Sequence, residues 1–130
     1  MRPLGRWPQV TVLRPMLRGD IRLVDLEPVR GAEADMRRPA VVVSNDGALA
    51  SAVQMGRGVV TVVPVPSSIE RVHPFQVLLP ARATGVRHDS EAHAEHMHSV
   101  AVQRLGPRIW IVPPAIMAEL DEALRLHLAL

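Results

Sequence analysis

The sequence predicts a mainly β fold that ends in one α-helix. Short apolar runs, separated by Gly, Pro and charged residues, extend over residues 20–112, which is typical of small antiparallel domains. Only the segment after Pro113 and Pro114 repeats its apolar side chains at helical spacing. A chain of 130 residues has room for one hydrophobic core and therefore for one domain.

The first two predicted strands lie on either side of a charged loop. Polar and apolar residues nearly alternate from Asp20 to Leu26, which predicts a half-buried strand. From Ala40 to Val43 the run is continuously apolar and follows Pro39, which predicts a strand buried on both faces. A charged surface turn is the common explanation for such a loop. A simple connection, however, would not need all the charges of Glu27, Arg30, Glu33, Asp35, Arg37 and Arg38.

A short helix and a third strand are predicted next. The small residues from Asn45 to Met55 favour the helix, with Asn45 or Asp46 as its N-cap and Gly56 at its end. The run from Val59 to Val65 favours the strand. Because proline cannot donate a backbone hydrogen bond, this strand must end, bulge or lie at a sheet edge near Pro64 and Pro66.

Three further strands are predicted in the second half of the chain. They are Phe75–Leu79, Ala94–Val102 and Ile109–Val112, with a turn at Thr84 and Gly85. Alternation in the strand Ala94–Val102 would place the imidazoles of His96 and His98 on one face. Met97 and Ser99 would then lie on the other face.

The last element is an amphipathic helix that follows two prolines. Its apolar stripe is predicted to consist of Ile116, Leu120, Leu124 and Leu128. Short strands with one such helix predict a small, strongly bent antiparallel sheet or an SH3-like β-barrel, capped by the helix.

Composition excludes several classes of protein. The chain has no Cys, so a disulfide framework or a thiolate metal site is not expected. Its only aromatic residues are Trp7, Phe75 and Trp110, which argues against a platform of stacked bases. No apolar run is long enough for a membrane span and no signal-peptide core is recognisable, so a cytoplasmic protein is expected.

The charge pattern restricts any nucleic-acid site to a local patch. All 15 basic residues are Arg, yet the formal net charge is only +2. Residues 1–17 hold three of these Arg and no acid, so the remaining 12 Arg are balanced by 13 Asp and Glu. RNA binding would therefore depend on a few Arg side chains, which bind phosphate with a planar, permanently charged group.

A histidine-rich stretch at residues 88–98 raises the question of a metal site. His96 and His98 would share a strand face, but a catalytic site needs a third ligand, and no recognised motif supplies it. The expectation is therefore that the protein uses no metal and no cofactor. A phosphate-binding Gly-rich loop and a Gly-x-Ser-x-Gly nucleophile elbow are also absent from the sequence.

Residues 18–46 resemble the opening block of the MazF/PemK family of toxin ribonucleases. They contain, in order, Arg-Gly-Asp at 18–20, Asp-Leu-Glu-Pro at 25–28, Gly-Ala-Glu at 31–33, and Arg-Pro at 38–39 before Val-Val-Val-Ser. Further similar segments are residues 58–68, 73–79, 94–100 and 120–130. The resemblance covers residues 17–130 and leaves residues 1–16 as an N-terminal extension, which is either disordered or upstream of a true start at Met16.

The resemblance implies a fold, an activity and partners. The fold is the CcdB/PemK-type barrel, and the assembly is a homodimer. The implied activity is that of a type II toxin, an mRNA interferase that cuts single-stranded RNA sequence-specifically and without metal to 2′,3′-cyclic phosphate and 5′-hydroxyl ends. The implied partner is a MazE-like antitoxin, whose acidic, disordered tail folds across the RNA groove.

Three residues are the candidates for catalysis. Arg38 would stabilise the charge on the reacting phosphate, since a guanidinium holds its proton too tightly to act as a base at neutral pH. Glu33 would accept the 2′-hydroxyl proton, or would instead pair with Arg37 or Arg30. The family has a catalytic Thr where this chain has Pro66, so the neighbouring Ser67 is the candidate replacement.

The other candidate residues are expected to contact RNA. They are Gly31, Arg37, Pro66, Glu95, His96 and His98. His98 stands where the family usually has Arg or Lys, and His96 where it often has Gln. The alternatives are a non-catalytic, CcdB-like toxin that binds a protein target, and a catalytically impaired RNA-binding relative.

Overall fold

The computed structural model describes residues 15–25, 37–66 and 74–130. Its strands are β1 (Asp20–Asp25), β2 (Arg37–Val42), β3 (Val59–Pro64), β4 (Gln76–Leu79), β5 (Ser90–His93), β6 (His98–Ala101) and β7 (Leu105–Ile111). Its helices are α1 (Asp46–Met55), α2 (Ala81–Thr84) and α3 (Pro114–Leu128), and 3-10 turns cover Ala94–His96 and Val102–Arg104. This confirms the predicted mainly β fold with a C-terminal helix and short helices elsewhere.

The described strands form two sheets in which all neighbours are antiparallel. The larger sheet has five strands in the order β6-β3-β2-β1-β7, and β4 pairs with β5 in the smaller one. Irregular register between β1 and β7 marks bulges, which bend a strand and increase its twist. The central position of β2 explains why its second half, residues 40–42, is apolar and buried.

Two apolar cores lie on opposite faces of β2. The α1-side core includes Val42, Leu49 and Val62, while the α3-side core includes Val41 and Leu120. Because successive residues of a strand point to opposite faces, neighbouring valines of β2 belong to different cores. The prediction that this strand is buried on both faces is confirmed from Ala40 to Val42.

Strand β1 is more buried than its alternating sequence predicts. Asp20 and Arg22 are only 3% and 2% exposed, so the prediction of a half-buried strand was wrong. The reason is that β1 lies between β2 and β7, and its polar side chains bind each other. The Arg22 Nε lies 3.2 Å from an Asp20 carboxylate oxygen, and Arg22 also donates to the carbonyls of Pro15 and Gly106 at 2.9 Å. Burial lowers the pKa of Arg22, and the Asp20 carboxylate only partly offsets that effect.

Local signals for helix ends were accurate. The Asn45 side chain accepts a hydrogen bond from the Ala48 amide at 2.8 Å and caps α1 as predicted. Gly56 ends the helix in the left-handed conformation, with φ of 66°. Strand β3 also ends at Pro64, as the missing proline donor requires.

The predicted strand from Ala94 to Val102 is confirmed for His98–Ala101 and was wrong at its ends. A 3-10 turn occupies Ala94–His96, the Met97 amide donates to the Ala94 carbonyl at 3.1 Å, and the strand begins only at His98. His96 and His98 are therefore not neighbours on one strand face. The turn packs against α3, so tertiary contacts override the weak alternation of this segment.

The C-terminal helix is confirmed, but its buried face differs from the predicted stripe. Met117, Leu120 and Ala123 are buried, whereas Leu128 is 45% exposed. No helix in the described ranges combines the length and apolar character that a bilayer span requires.

The structure describes only Pro15 and Met16 of the predicted N-terminal extension. Residues 1–14 of the predicted extension lie outside the described residues. Met16 itself is 5% exposed and packs in the α1-side core, and the Pro15 carbonyl binds Arg22.

Candidate functional site

Arg38 lines a cavity of about 210 Å³ on the face of the sheet that carries the α1-side core. The side chain is exposed, and the guanidinium has no hydrogen bond or ion pair with any residue that the structure describes. The other walls of the cavity are mostly apolar and are formed by Val24, Pro39, Ala40, Val62, Pro64, Val65, Pro66 and His98. A free cation beside an apolar recess is suited to a ligand with an anionic and a flat apolar part.

Four strands bring the cavity residues together. Arg38 on β2 lies opposite Val24 on β1, and His98 on β6 lies opposite Val62 on β3. After β3, the Val65 amide donates to the Pro39 carbonyl at 3.0 Å and keeps this segment beside Arg38. The structure therefore places together Arg38, Pro66 and His98, which are far apart in sequence.

Other candidate residues lie elsewhere. Arg37 is half-buried, lies opposite Asp25 and does not line the cavity, because neighbours along a strand point to opposite faces. Gly31, Glu33 and Ser67 lie outside the described residues, so their predicted roles stay predictions.

His98 offers one ring nitrogen to a ligand. Its Nδ1 lies 3.0 Å from the His96 carbonyl oxygen, and a carbonyl can only accept, so Nδ1 carries the proton in this contact. The Nε2 atom then has a free lone pair in the neutral ring and a second N–H in the charged ring. His98 is exposed, like Arg38.

Glu95 and His96 belong to a separate polar cluster. With His93 they bring potential metal-ligand atoms within 4.8 Å of one another. Glu95 also accepts a hydrogen bond from the Gln76 amide at 3.0 Å. Partial burial raises the pKa of the Glu95 carboxyl, but the Gln76 contact, the Glu95 backbone amide and both imidazoles together hold that pKa below its usual value.

Glu91 was missed from the sequence. It is 1% exposed on β5, and one of its carboxylate oxygens lies 3.1 Å from the His93 Nε2. The segment Ser-Glu-Ala-His has no apolar alternation, so no strand was predicted there. Its only signal was the apolar strand Phe75–Leu79, which needs a partner strand.

Comparison with known proteins identifies the family. Residues 17–128 match the model of the PemK-like, MazF-like toxins of type II toxin–antitoxin systems. The chain belongs to this toxin family. It is 57% identical over 115 residues to endoribonuclease MazF9 of Mycobacterium tuberculosis H37Rv, covering 88% of this chain and 98% of that one. It is 32% identical over 115 residues to endoribonuclease EndoA of Bacillus subtilis 168, covering 87% and 94%.

Solved structures agree with the assignment. This chain superposes on a MazE–MazF crystal structure from Deinococcus radiodurans with a TM-score of 0.70 and 27% identity, over 88% of this chain and 96% of that one. The family and the fold inferred from the motifs at residues 18–46 are thereby confirmed.

Pro66 is the cavity residue at which the sequence resemblance implies a departure from the family. It is half-buried and lines the cavity with Arg38, and its ring offers no hydroxyl at the position where the resemblance implies a Thr. If Ser67 supplies the missing hydroxyl, Ser67→Ala is expected to lower the rate of RNA cleavage by about tenfold. Pro66→Thr should be neutral or faster, as measured with a fluorogenic RNA. Normal cleavage by Ser67→Ala together with much faster cleavage by Pro66→Thr would show that Ser67 is only a turn residue.

Proposed function

We propose that this protein is the toxin of a type II toxin–antitoxin pair and acts as an endoribonuclease on single-stranded RNA. The observation that carries the proposal is the exposed Arg38, which pairs with no described residue and lines one apolar cavity with His98. The identity of 57% to a protein named as an endoribonuclease supports it. The cut is expected to be sequence-specific and to arrest translation by destroying mRNA.

The proposed reaction uses the substrate's own nucleophile. The 2′-hydroxyl oxygen attacks the adjacent phosphorus, the bond from phosphorus to the 5′ oxygen breaks, and a 2′,3′-cyclic phosphate and a 5′-hydroxyl are released. The protein has to remove one proton, supply one to the leaving oxygen and stabilise the extra negative charge. This route needs no metal ion.

Arg38 is proposed to stabilise the phosphorane. Its planar fork can donate two parallel hydrogen bonds to the non-bridging phosphate oxygens, and it stays charged throughout. Glu33 is the proposed acceptor of the 2′-hydroxyl proton. His98 is proposed to hold a neighbouring phosphate through Nε2, more strongly when the ring is protonated.

The apolar walls are proposed to hold a base. Single-stranded RNA can turn an unstacked base into a pocket, and the cavity formed by Val24, Val62 and prolines can cover its flat face without any aromatic platform. Gly31, Arg37, Glu95 and His96 remain proposed RNA contacts, and the three of them that the structure describes, Arg37, Glu95 and His96, lie outside the cavity walls.

The proposed partners follow from the same surface. A MazE-like antitoxin with an acidic tail would compete with RNA for Arg38, and the Deinococcus radiodurans relative was crystallised as a MazE–MazF complex. We also propose a homodimer, supported by exposed apolar side chains such as Ile111 at 52% exposure on edge strand β7. Activity on mRNA implies a cytoplasmic site of action.

One observation favours a second candidate. Pro66 removes the family hydroxyl from the cavity, which favours an RNA-binding relative of low activity. Such a protein would bind the RNA oligonucleotide in a filter assay with the same dependence on Arg38 but would leave it uncut.

The test is cleavage of a long RNA in excess EDTA, with primer extension to locate the cuts. We expect cleavage to continue at no less than about a third of the untreated rate, because the 2′-hydroxyl route needs no metal. A DNA oligonucleotide of the same sequence is the matched control and should stay intact, since it lacks the nucleophile. Complete loss of cleavage on chelation, with recovery in Zn²⁺ or Mn²⁺, or cutting of the DNA, would refute the proposed chemistry.

A further inference from the structure

Three metal-ligand side chains lie together where β5 meets the turn before β6, outside the walls of the Arg38 cavity. His93 ends β5, while Glu95 and His96 lie in the 3-10 turn that follows. Their ligand atoms lie within 4.8 Å of one another, and the two imidazole centroids are 5.7 Å apart. The three residues form the sequence run His-x-Glu-His, and the bend from strand to turn brings their side chains close together.

Two of these side chains bury polar atoms that lack a partner. The His93 Nδ1 and the Glu95 Oε1 are both buried, and neither has a hydrogen-bond partner among the described residues. Burying a polar atom unpaired destabilises a folded protein. The two atoms do not satisfy each other, because the His93 Nδ1 lies 4.0 Å from the nearest ion-pairing oxygen of Glu95, which is too far for a hydrogen bond.

Glu91 determines what the His93 Nδ1 can bind. The Glu91 carboxylate can only accept, so the His93 Nε2 facing it at 3.1 Å carries the proton. The Nδ1 of the neutral ring then has a free lone pair, and it lies 4.0 Å from a carboxylate oxygen of Glu95. A buried carboxylate behind a histidine is the arrangement that orients histidine ligands in metal sites. A bound cation would satisfy both the His93 Nδ1 and the unpartnered Glu95 Oε1.

We propose that His93, Glu95 and His96 bind one divalent transition-metal ion, of which Zn²⁺ fits the donors best. Two imidazoles and one carboxylate are a common set of three protein ligands for Zn²⁺, with the fourth position left to water. Ligand atoms around a tetrahedral ion at about 2.1 Å lie about 3.4 Å apart. The exposed His96 ring can rotate to close the present separation.

The site would also connect to the Arg38 cavity. The His96 carbonyl holds the His98 Nδ1 at 3.0 Å, so an ion that fixes the turn also fixes the ring that lines the cavity. Metal binding does not depend on the proposed RNA cleavage, and only this effect on His98 rests on it.

The first experiment measures Zn²⁺ binding without RNA. The full chain is stripped with EDTA and dialysed, and Zn²⁺ is titrated by calorimetry. We expect one equivalent per chain with a Kd of about 10 µM or below, and a rise in Tm of at least about 5 °C at a hundredfold excess over Kd. Co²⁺ should give the visible absorption of a four-coordinate nitrogen and oxygen site.

Matched variants locate the ion. His96→Ala removes an exposed ligand and should weaken Zn²⁺ binding by about tenfold or more, as should Glu95→Gln. His88→Ala is the control, because His88 is also exposed but lies outside the cluster. Circular dichroism without Zn²⁺ confirms that each variant is folded.

Two outcomes would overturn the site: no stoichiometric Zn²⁺ binding by the folded wild type, or equal Zn²⁺ affinity of His96→Ala and His88→Ala.

The connection between the metal site and His98 is tested separately, by the rate of RNA cleavage. Chelation should slow RNA cleavage by no more than about threefold, and His98→Ala should abolish that dependence. Zn²⁺ binding by a protein that cuts no RNA would refute the proposed function and leave the metal site in place.

Discussion

Replacing Arg38 with alanine is expected to lower kcat for RNA cleavage by about a hundredfold or more, while RNA affinity falls much less. The reason is that Arg38 would neutralise charge that develops only in the transition state, like a donor of an oxyanion hole. Single-turnover cleavage of a fluorogenic RNA, with filter binding of an uncleavable 2′-deoxy analogue, separates the two effects. The fold should persist, since Arg38 is exposed and has no partner among the described residues.

Arg57→Ala is the matched control for this prediction. Arg57 is also exposed and has no ion pair with a described residue, but it lies between α1 and β3 and outside the Arg38 cavity. It should change the rate only slightly. Arg38→Lys should recover only part of the activity, because an ammonium cannot form the two-pronged contact. Unchanged cleavage in Arg38→Ala would remove the proposed site, and a toxin that binds a protein target would become the better account.

The second large effect concerns stability and involves Arg22. Arg22→Ala is expected to lower the free energy of unfolding by about 3–5 kcal/mol, because it leaves the buried Asp20 carboxylate without its closest cation and two carbonyls without donors. That loss is a large part of the roughly 5–15 kcal/mol that holds a typical domain together. Urea denaturation followed by circular dichroism measures it.

Arg18→Ala is the control for Arg22→Ala. Arg18 also pairs with an aspartate, Asp121, at 2.7 Å, but both side chains are about one third exposed. Because water screens such a pair, its loss should cost no more than about 1 kcal/mol. Replacing the buried pair together, as Asp20→Asn with Arg22→Met, should destabilise less than Arg22→Ala alone. A loss below about 1 kcal/mol for Arg22→Ala would show that Asp20 is hydrated despite its burial.

The sequence was most informative where a local rule determines structure. Asn45 and Gly56 determine the ends of α1 through their own hydrogen bonding and backbone freedom, and the valines of β2 indicate burial directly. Residues 94–97 were mispredicted, because a 3-10 turn of mixed polar residues is stabilised by its packing on α3 rather than by its own sequence.

The site was predictable in part for a similar reason. Arg38 was identified because an Arg-Pro before a valine run is a specific motif. Glu91 and His93 were not, because a charged residue becomes buried only when a distant strand covers it, here β4. That Pro66 and His98 share one cavity with Arg38 depends on the order of strands β6, β3 and β2, which alternation cannot specify.

The double burial of β2 also determines how this protein can be switched off. A strand whose neighbouring valines belong to two different cores cannot open locally without loosening both, so it should be among the last segments to exchange its amide hydrogens. Arg38 is carried by that strand. An antitoxin tail could not easily deform β2, because distorting this strand would cost much of the stability of the domain. Inhibition by occlusion, in which an acidic chain occupies the place of the RNA, is therefore the mode that this architecture favours.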